Sequence, residues 1–198
     1  MYQAIQYIRY KMPFIWNFIE LANALSFKLL FGRKLSAISK TLSKFNKESI
    51  IYSLADIDDV ESLAELFQRQ PEDAFKYFKP HKFDKGTIRK LINNPAFIII
   101  LAKNNSTVVG YAFLRCFANG KAFRGKLVDI EFRGRGIAKN FGIITTEIAS
   151  TLGIKLFGTI SKSNISSMAS SKSSNEVRVI EELPDNYLLI QYLPKQKV

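Results

Sequence analysis

Phe132-Arg133-Gly134-Arg135-Gly136-Ile137-Ala138 sets the fold class of this chain. The run follows the β-like segment Lys126-Leu127-Val128-Asp129-Ile130-Glu131 and opens a helical pattern that extends to about Leu152. A strand, a glycine-bearing basic turn and a helix together make an anion site. The first helical turn leaves N–H groups without partners at the positive end of the helix dipole. Glycines let the backbone close around an oxyanion without interference from Cβ. Arg133 and Arg135 add charge. The pattern predicts a phosphate-bearing ligand held mainly by backbone N–H groups. Two other phosphate loops fit worse. The chain has no G-x-x-x-x-G-K-[S/T], and G-x-G-x-x-G fails because Lys139 stands where the third glycine belongs.

Periodicity fills in the surroundings. Downstream, Ile154–Ile160 is strand-like and ends in Ser161-Lys162-Ser163-Asn164-Ile165-Ser166-Ser167, after which Ile165–Ser174 reads as a Ser-rich helix. Val177–Ile180 and Tyr187–Tyr192 read as closing antiparallel strands. Upstream, Phe97–Ala102 and Thr107–Phe117 flank the polar turn Lys103-Asn104-Asn105-Ser106 as a hairpin. A short strand is expected over Ser49–Ser53. A helix is expected over Asp56–Gln70, with Val60, Leu63, Leu66 and Phe67 inward. An aromatic, basic connection follows over Asp73–Phe83, and then a helix over Thr87–Asn93.

The N-terminal quarter differs in composition. Phe14–Phe31 is a helical candidate that is apolar on most faces, interrupted by Asn17, Glu20, Asn23 and Lys28. Its length approaches a membrane span, but its two internal charges argue against one. No small-residue cleavage site follows it, and the basic run comes after the apolar stretch, so it is not read as a signal peptide. Gly32 reads as a stop. A second helix is expected over residues 34–46, with Leu35, Ile38, Leu42 and Phe45 on one stripe. Residues 1–50 carry eight Lys and Arg against two Glu, a balance of +6 within a total of +12. Such a field attracts nucleic acid, anionic lipid or acidic substrates. Residues 1–47 therefore read as an amphipathic basic extension, and 48–198 as the main domain. The extension suits an anionic membrane surface, a homodimer contact, or simple packing on the domain.

A chain of 198 residues with 47% hydrophobic and 13% aromatic content builds a real core. The single cysteine, Cys116, excludes an intramolecular disulfide and lies in an apolar strand, as a core thiol would. His81 is the only histidine, so no multi-histidine metal site and no zinc cluster is expected.

The spacing Arg133-x-x-Gly136-x-Ala138 resembles the acyl-CoA signature [Q/R]-x-x-G-x-[G/A] of the GNAT acetyltransferase superfamily. The stretch from Val128 to Ala138 is similar to that family's strand-to-helix passage, with Ile130 standing where proline is common. Asn164 and Ser167 match its Asn-x-x-Ser element, and Gly110-Tyr111 its second hairpin strand. The likeness covers residues 48–193. It implies an α/β (α+β) fold, with a mixed, mostly antiparallel sheet flanked by helices and an N-terminal helical extension. It further implies an N-acetyltransferase that uses acetyl-CoA as cosubstrate, without a metal, and moves the acetyl group to a primary amine by direct attack in a ternary complex.

By the same resemblance, Val128 and Ile130 should lie on the strand that pairs with pantetheine. Backbone N–H groups over Arg133, Gly134, Arg135, Gly136, Ile137 and Ala138 should hold the pyrophosphate, with Asn164 and Ser167 nearby. Two positions depart from the family's pattern. The Glu common eight residues before the loop arginine is Gly125 here, and the Tyr common seven residues after the loop asparagine is Ser171. The remaining candidates are Asp129 as a base through water, or a structural Asp at a strand end; His81 as a base, or a surface His; and Ser171 as a weak acid. The runs Phe78–Asp84 and Arg115–Gly125 resemble GNAT proteins of bacterial surface-glycan pathways. This suggests an amino sugar on a nucleotide or lipid carrier, with a small amine or a protein lysine still open as acceptor. A cytoplasmic protein is expected, peripheral to the inner face of the membrane if the extension binds lipid. The rival is a non-catalytic module that binds CoA, nucleic acid or a membrane surface. Nucleic acid is the least favoured partner.

Overall fold

The computed structural model describes residues 12–47 and 49–195. Residues 1–11 of the expected N-terminal extension thus lie outside the described residues. Four apolar runs make an antiparallel meander. β1 (Ile51–Leu54) pairs with β2 (Phe97–Asn104), β2 with β3 (Thr107–Phe117), and β3 with β4 (Lys121–Val128). The β2–β3 turn places Asn105 at φ 53°, a conformation Asn tolerates. β5 (Lys155–Ser161) then runs parallel to β4, while β7 (Tyr187–Leu193) and β6 (Glu176–Leu183) add antiparallel strands beyond it. The sheet order is β1-β2-β3-β4-β5-β7-β6. A mostly antiparallel sheet with one parallel contact matches the expected fold class.

Helices cover both faces. α3 (Val60–Gln68) and α4 (Lys85–Ile92) bury Leu63, Leu66, Phe67 and Ile88 against Ile99, Leu101, Tyr111 and Phe113. α5 (Ile137–Leu152) packs on the other face. Its residues Phe141, Ile144, Ile148 and Leu152, spaced three and four apart, are fully buried. A Cβ at Gly110 would stand 2.8 Å from the Phe141 ring, so glycine in β3 is what lets α5 sit this close. α6 (Ile165–Ser174) lies beside α5.

The N-terminal segment forms α1 (Pro13–Leu35) and α2 (Ile38–Ser43) on the α5 side of the sheet. Two boundaries differ from expectation. Gly32 does not stop α1. One interior glycine costs about 1 kcal/mol, and Phe31 and Leu35 on either side pack against the core. The break falls at Ser36–Ala37, which shortens the second helix. In addition, β4 begins at Lys121 and ends at Val128, so the expected strand over residues 126–131 is cut short. Asp129 accepts the Glu131 N–H and turns the chain into a 3-10 turn over Ile130–Phe132.

Candidate active site: the cleft where two strands part

β4 and β5 pair only at Lys121↔Lys155, Ala122↔Leu156 and Phe123↔Phe157. Beyond these residues the strands diverge and leave a cleft of about 610 Å³. Its walls come from the second half of β4, the end of β5, the start of the glycine loop, α6 and the aromatic connection before α4. Backbone groups that a paired strand would satisfy are here open to a ligand.

The glycine loop closes one end. Gly134 and Gly136 adopt φ of 78° and 79°. An added Cβ would meet nothing within 4 Å at either position, so glycine is needed for conformation and not for space. Gly136 caps α5, and Asn140 N–H is bonded to its carbonyl. The N–H groups of Ile137, Ala138 and Lys139 therefore lack intrahelical acceptors and point at the loop. Arg133 lines the cleft, and its Nε lies 3.5 Å from the Val128 carbonyl oxygen. Arg135 lies over the Phe132 ring at 4.5 Å. The Ile137 side chain is buried in the core, so only its backbone is available to a ligand.

Across the cleft, Asn164 caps α6 by accepting the Ser167 N–H at 3.0 Å. Val128, Arg133, Ala138, Asn164, Ser167 and Ser171 all line the same space. Ile130 does not. It sits in the 3-10 turn, 45% exposed, because the strand ends two residues earlier.

Two catalytic candidates fall elsewhere. Asp129 is 2% exposed and ion-paired with Arg69. Burial raises its carboxyl, but hydrogen bonds from Arg69 and the Glu131 N–H, with Gln70 beside them, outweigh this and hold it below the usual carboxylate value. A carboxylate bound this way is a weak base, and Asp129 acts as the cap that turns the chain into the loop. His81 does not line the cleft. Its Nε2 lies 2.7 Å from the Tyr111 hydroxyl and its Nδ1 2.7 Å from the Lys82 carbonyl, among Phe67, Phe83, Phe97 and Phe113. Burial lowers its pKa, partly countered by the Lys82 carbonyl and Asp84. With both ring nitrogens engaged, it holds an aromatic cluster together.

That cluster also explains Gly125. A Cβ there would stand 2.4 Å from the Phe113 ring and 3.0 Å from Phe78. Aromatic rings occupy the place where a glutamate side chain would begin.

Residues not anticipated from the sequence point to the other face of β4. Arg124 is 8% exposed, and its Nη1 donates to Gly142 O and Thr145 Oγ1, each at 3.0 Å. Its guanidinium carbon lies 3.3 Å from the Tyr192 ring centroid. Lys126 donates to Ala138 O and Ser170 Oγ, both at 2.9 Å. Burial first, and the neighbouring Arg124 second, push its ammonium down to about 7. The alternation of a strand would have grouped 124 with 126. Without the position of β4, nothing in the local pattern marks this pair as facing a cleft. Cys116 is buried, with its thiol pushed up to about 12 by desolvation, so it is inert.

No protein-family model matches the sequence, and no curated protein matches it. Solved structures do. The GNAT domain of S. lividans PAT superposes with a TM-score of 0.65 at 13% identity, covering 73% of this chain and 90% of that one. The PaiA N-acetyltransferase of Thermoplasma acidophilum, solved in complex with coenzyme A, gives 0.61 at 18% identity, covering 74% and 99%. A Salmonella typhimurium acetyl transferase that modifies the N-terminal serine of ribosomal protein L7/L12 gives 0.58 at 14%, covering 74% and 94%. The chain has the GNAT acetyltransferase fold.

Proposed function

We propose that this protein is an acyl-CoA-dependent N-acetyltransferase that moves an acetyl group from acetyl-CoA to a primary amine. The observation that carries the reading is the opening between β4 and β5, with the Gly134–Gly136 loop and the α5 N-terminus at its end. An extended pantetheine arm takes the place of a strand against Val128 and its neighbours, the pyrophosphate lies on the N–H groups of the loop, and Asn164 and Ser167 flank the arm. The amine attacks the thioester carbonyl while both are held in the cleft. Proximity and orientation supply most of the acceleration, since no carboxylate stands at position 125. Ser171 is the one anticipated catalytic residue that lines the cleft.

For the acceptor, the reading is an amino sugar on a nucleotide or lipid carrier. Tyr77 and Phe78, with Lys76, line the cleft and offer aromatic faces beside a cation. The extension supports a lipid-linked carrier and a position at the inner face of the membrane. α1 turns Glu20 and Asn23 inward, to Arg115, Cys116 and Ala118, and turns Phe14, Phe18, Leu25 and Leu29 outward. Lys28, Arg33 and Lys40 lie along the same segment, suited to anionic headgroups, while Lys34 donates to Leu152 O and Lys44 pairs with Glu147. The extension is anchored to the domain, since Phe27 and Ile38 are buried in the main core.

The first test is thermal shift with acetyl-CoA, run beside CoA and ATP. Saturation at a hundred times Kd adds about 2.7 kcal/mol, or roughly 5–10 °C for a chain this size. Gly136→Val, which forces a β-branched residue to φ 79°, should abolish the shift. An equal shift with ATP, or none, would overturn the cofactor assignment. Thiol release in an amine screen then identifies the acceptor. Flotation on vesicles containing phosphatidylglycerol tests the membrane contact. The full chain should float, and a Phe18→Ser, Leu25→Ser, Leu29→Ser variant should not.

A further inference from the structure

Arg124 and Lys126 are two cations on one face of β4 with no acid to answer them. Among the described residues neither forms an ion pair. Arg124 is more than nine-tenths buried, and its Nη2 has no hydrogen-bond partner. Ser171, 1% exposed, likewise has a hydroxyl without a partner. Lys126 is held only by neutral oxygens, Ala138 O and Ser170 Oγ. All three residues line the β4–β5 cleft, whose only acidic lining residue is Asp73.

Desolvated cations without a counter-charge are costly, and so are buried donors without acceptors. Proteins retain them where a ligand supplies what is missing. The pantetheine arm offers carbonyl acceptors but no counter-charge, since its amides and thioester are neutral and its phosphates belong at the glycine loop. We infer that the cleft holds a second, small anionic group, a carboxylate or phosphate, on Arg124, Lys126 and Ser171, apart from the pyrophosphate site. Arg124 contributes its unpartnered Nη2 and a fixed charge, and Lys126 a point charge two residues along the same face. This inference rests on the acyl-CoA reading of the cleft. The anion has two sources of the same chemistry, the far carboxylate of a dicarboxylic acyl-CoA or an acid group on the amine acceptor.

Calorimetry on the full chain distinguishes these sources, with CoA, acetyl-CoA and succinyl-CoA as titrants, and then free succinate and inorganic phosphate added to the CoA complex. If the anion belongs to the donor, succinyl-CoA binds about 10- to 100-fold tighter than acetyl-CoA, the gain expected of one charge-assisted contact. If it belongs to the acceptor, the two thioesters bind alike, and succinate or phosphate binds the CoA complex saturably. In either case Lys126→Met removes most of the gain, read as the ratio of succinyl-CoA to CoA affinity within that variant. Arg124→Met is the sharper variant but removes core hydrogen bonds, so Lys126→Met and Ser171→Ala, checked by melting, carry the test. Acetyl- and succinyl-CoA binding alike, with no binding of free anions and no effect of Lys126→Met, overturns the subsite and leaves the acyl-CoA reading intact. Failure of CoA itself to bind overturns that reading, and the free-anion titration, run on the unliganded protein, then decides the subsite alone.

Discussion

The two faces of β4 differ in what they are built to do. On one, Leu127 packs with residues of α3 and α4, and Phe78 and Phe113 fill the space above Gly125. On the other, Arg124 and Lys126 point toward α5 and α6, into a cleft where a buried guanidinium nitrogen and a buried serine hydroxyl lack partners. The first face is packed with aromatic rings, with Phe78, Gly125 and Leu127 also bordering the cleft, and the second is polar and unsatisfied. The side of the strand where the resembling family commonly carries its glutamate is the side this chain has packed with aromatic rings. Its unspent polar capacity has moved to the opposite face.

The largest expected effect comes from forcing the carboxylate back. Gly125→Glu drives a Cβ into the Phe113 ring and a charge into an aromatic cluster. Overpacking alone costs about 1–3 kcal/mol, and the desolvated charge adds to it. Urea unfolding should show a loss of at least about 3 kcal/mol, with no gain in turnover. A variant that melts like the wild type and turns over faster would break the comparison, because the aromatic face would then have room for a base.

The cationic face makes the opposite forecast. With its pKa near 7 in the folded chain and about 10.4 when unfolded, Lys126 binds fewer protons folded than unfolded across that window. Stability contributed at this site is therefore lowest below pH 7 and recovers as pH rises toward 10. Lys126→Met should stabilise the ligand-free protein by about 1–3 kcal/mol at pH 6, set against two lost hydrogen bonds, and by less at pH 9. Denaturant midpoints at the two pH values check this. A variant destabilised equally at both would mean that Lys126 is an ordinary structural lysine. The gain would be the usual exchange between stability and a functional site.

Local chemistry was readable in the sequence, and parity was not. The Arg133–Ala138 loop, the Asn164 cap and the α6 boundaries at Ile165 and Ser174 follow from backbone needs that a few adjacent residues declare. The start of β4 was hidden because Lys121, Arg124 and Lys126 break the apolar run that marks a strand. With it went the knowledge of which residues face the cleft. α1 shows the same limit. Its helical character and start were evident, but not that Glu20 and Asn23 turn inward and Phe14 and Leu29 outward, since that depends on Arg115 and the Cys116 carbonyl some ninety residues away. The roles of Asp129 and His81 were left open in the sequence for a related reason. Their partners, Arg69 and Tyr111, are remote in sequence, so the contacts that engage each could not be read from its neighbours.

The smallest effect tests whether the aromatic face is as inert as its packing implies. His81 titrates below its ordinary value because it is desolvated. The unfolded chain therefore binds the proton more readily, and the folded state loses stability as pH falls below about 6.5. Tyr111→Phe removes the hydroxyl that faces Nε2 and leaves that nitrogen without its partner. It should cost about 1 kcal/mol at pH 7.5 while turnover stays within about threefold. His81→Gln should flatten the acid limb of the stability curve without moving the pH profile of turnover. If either variant lowers kcat a hundredfold at unchanged KM, the proton path runs through the aromatic cluster after all, and the division of labour between the two faces of β4 is wrong.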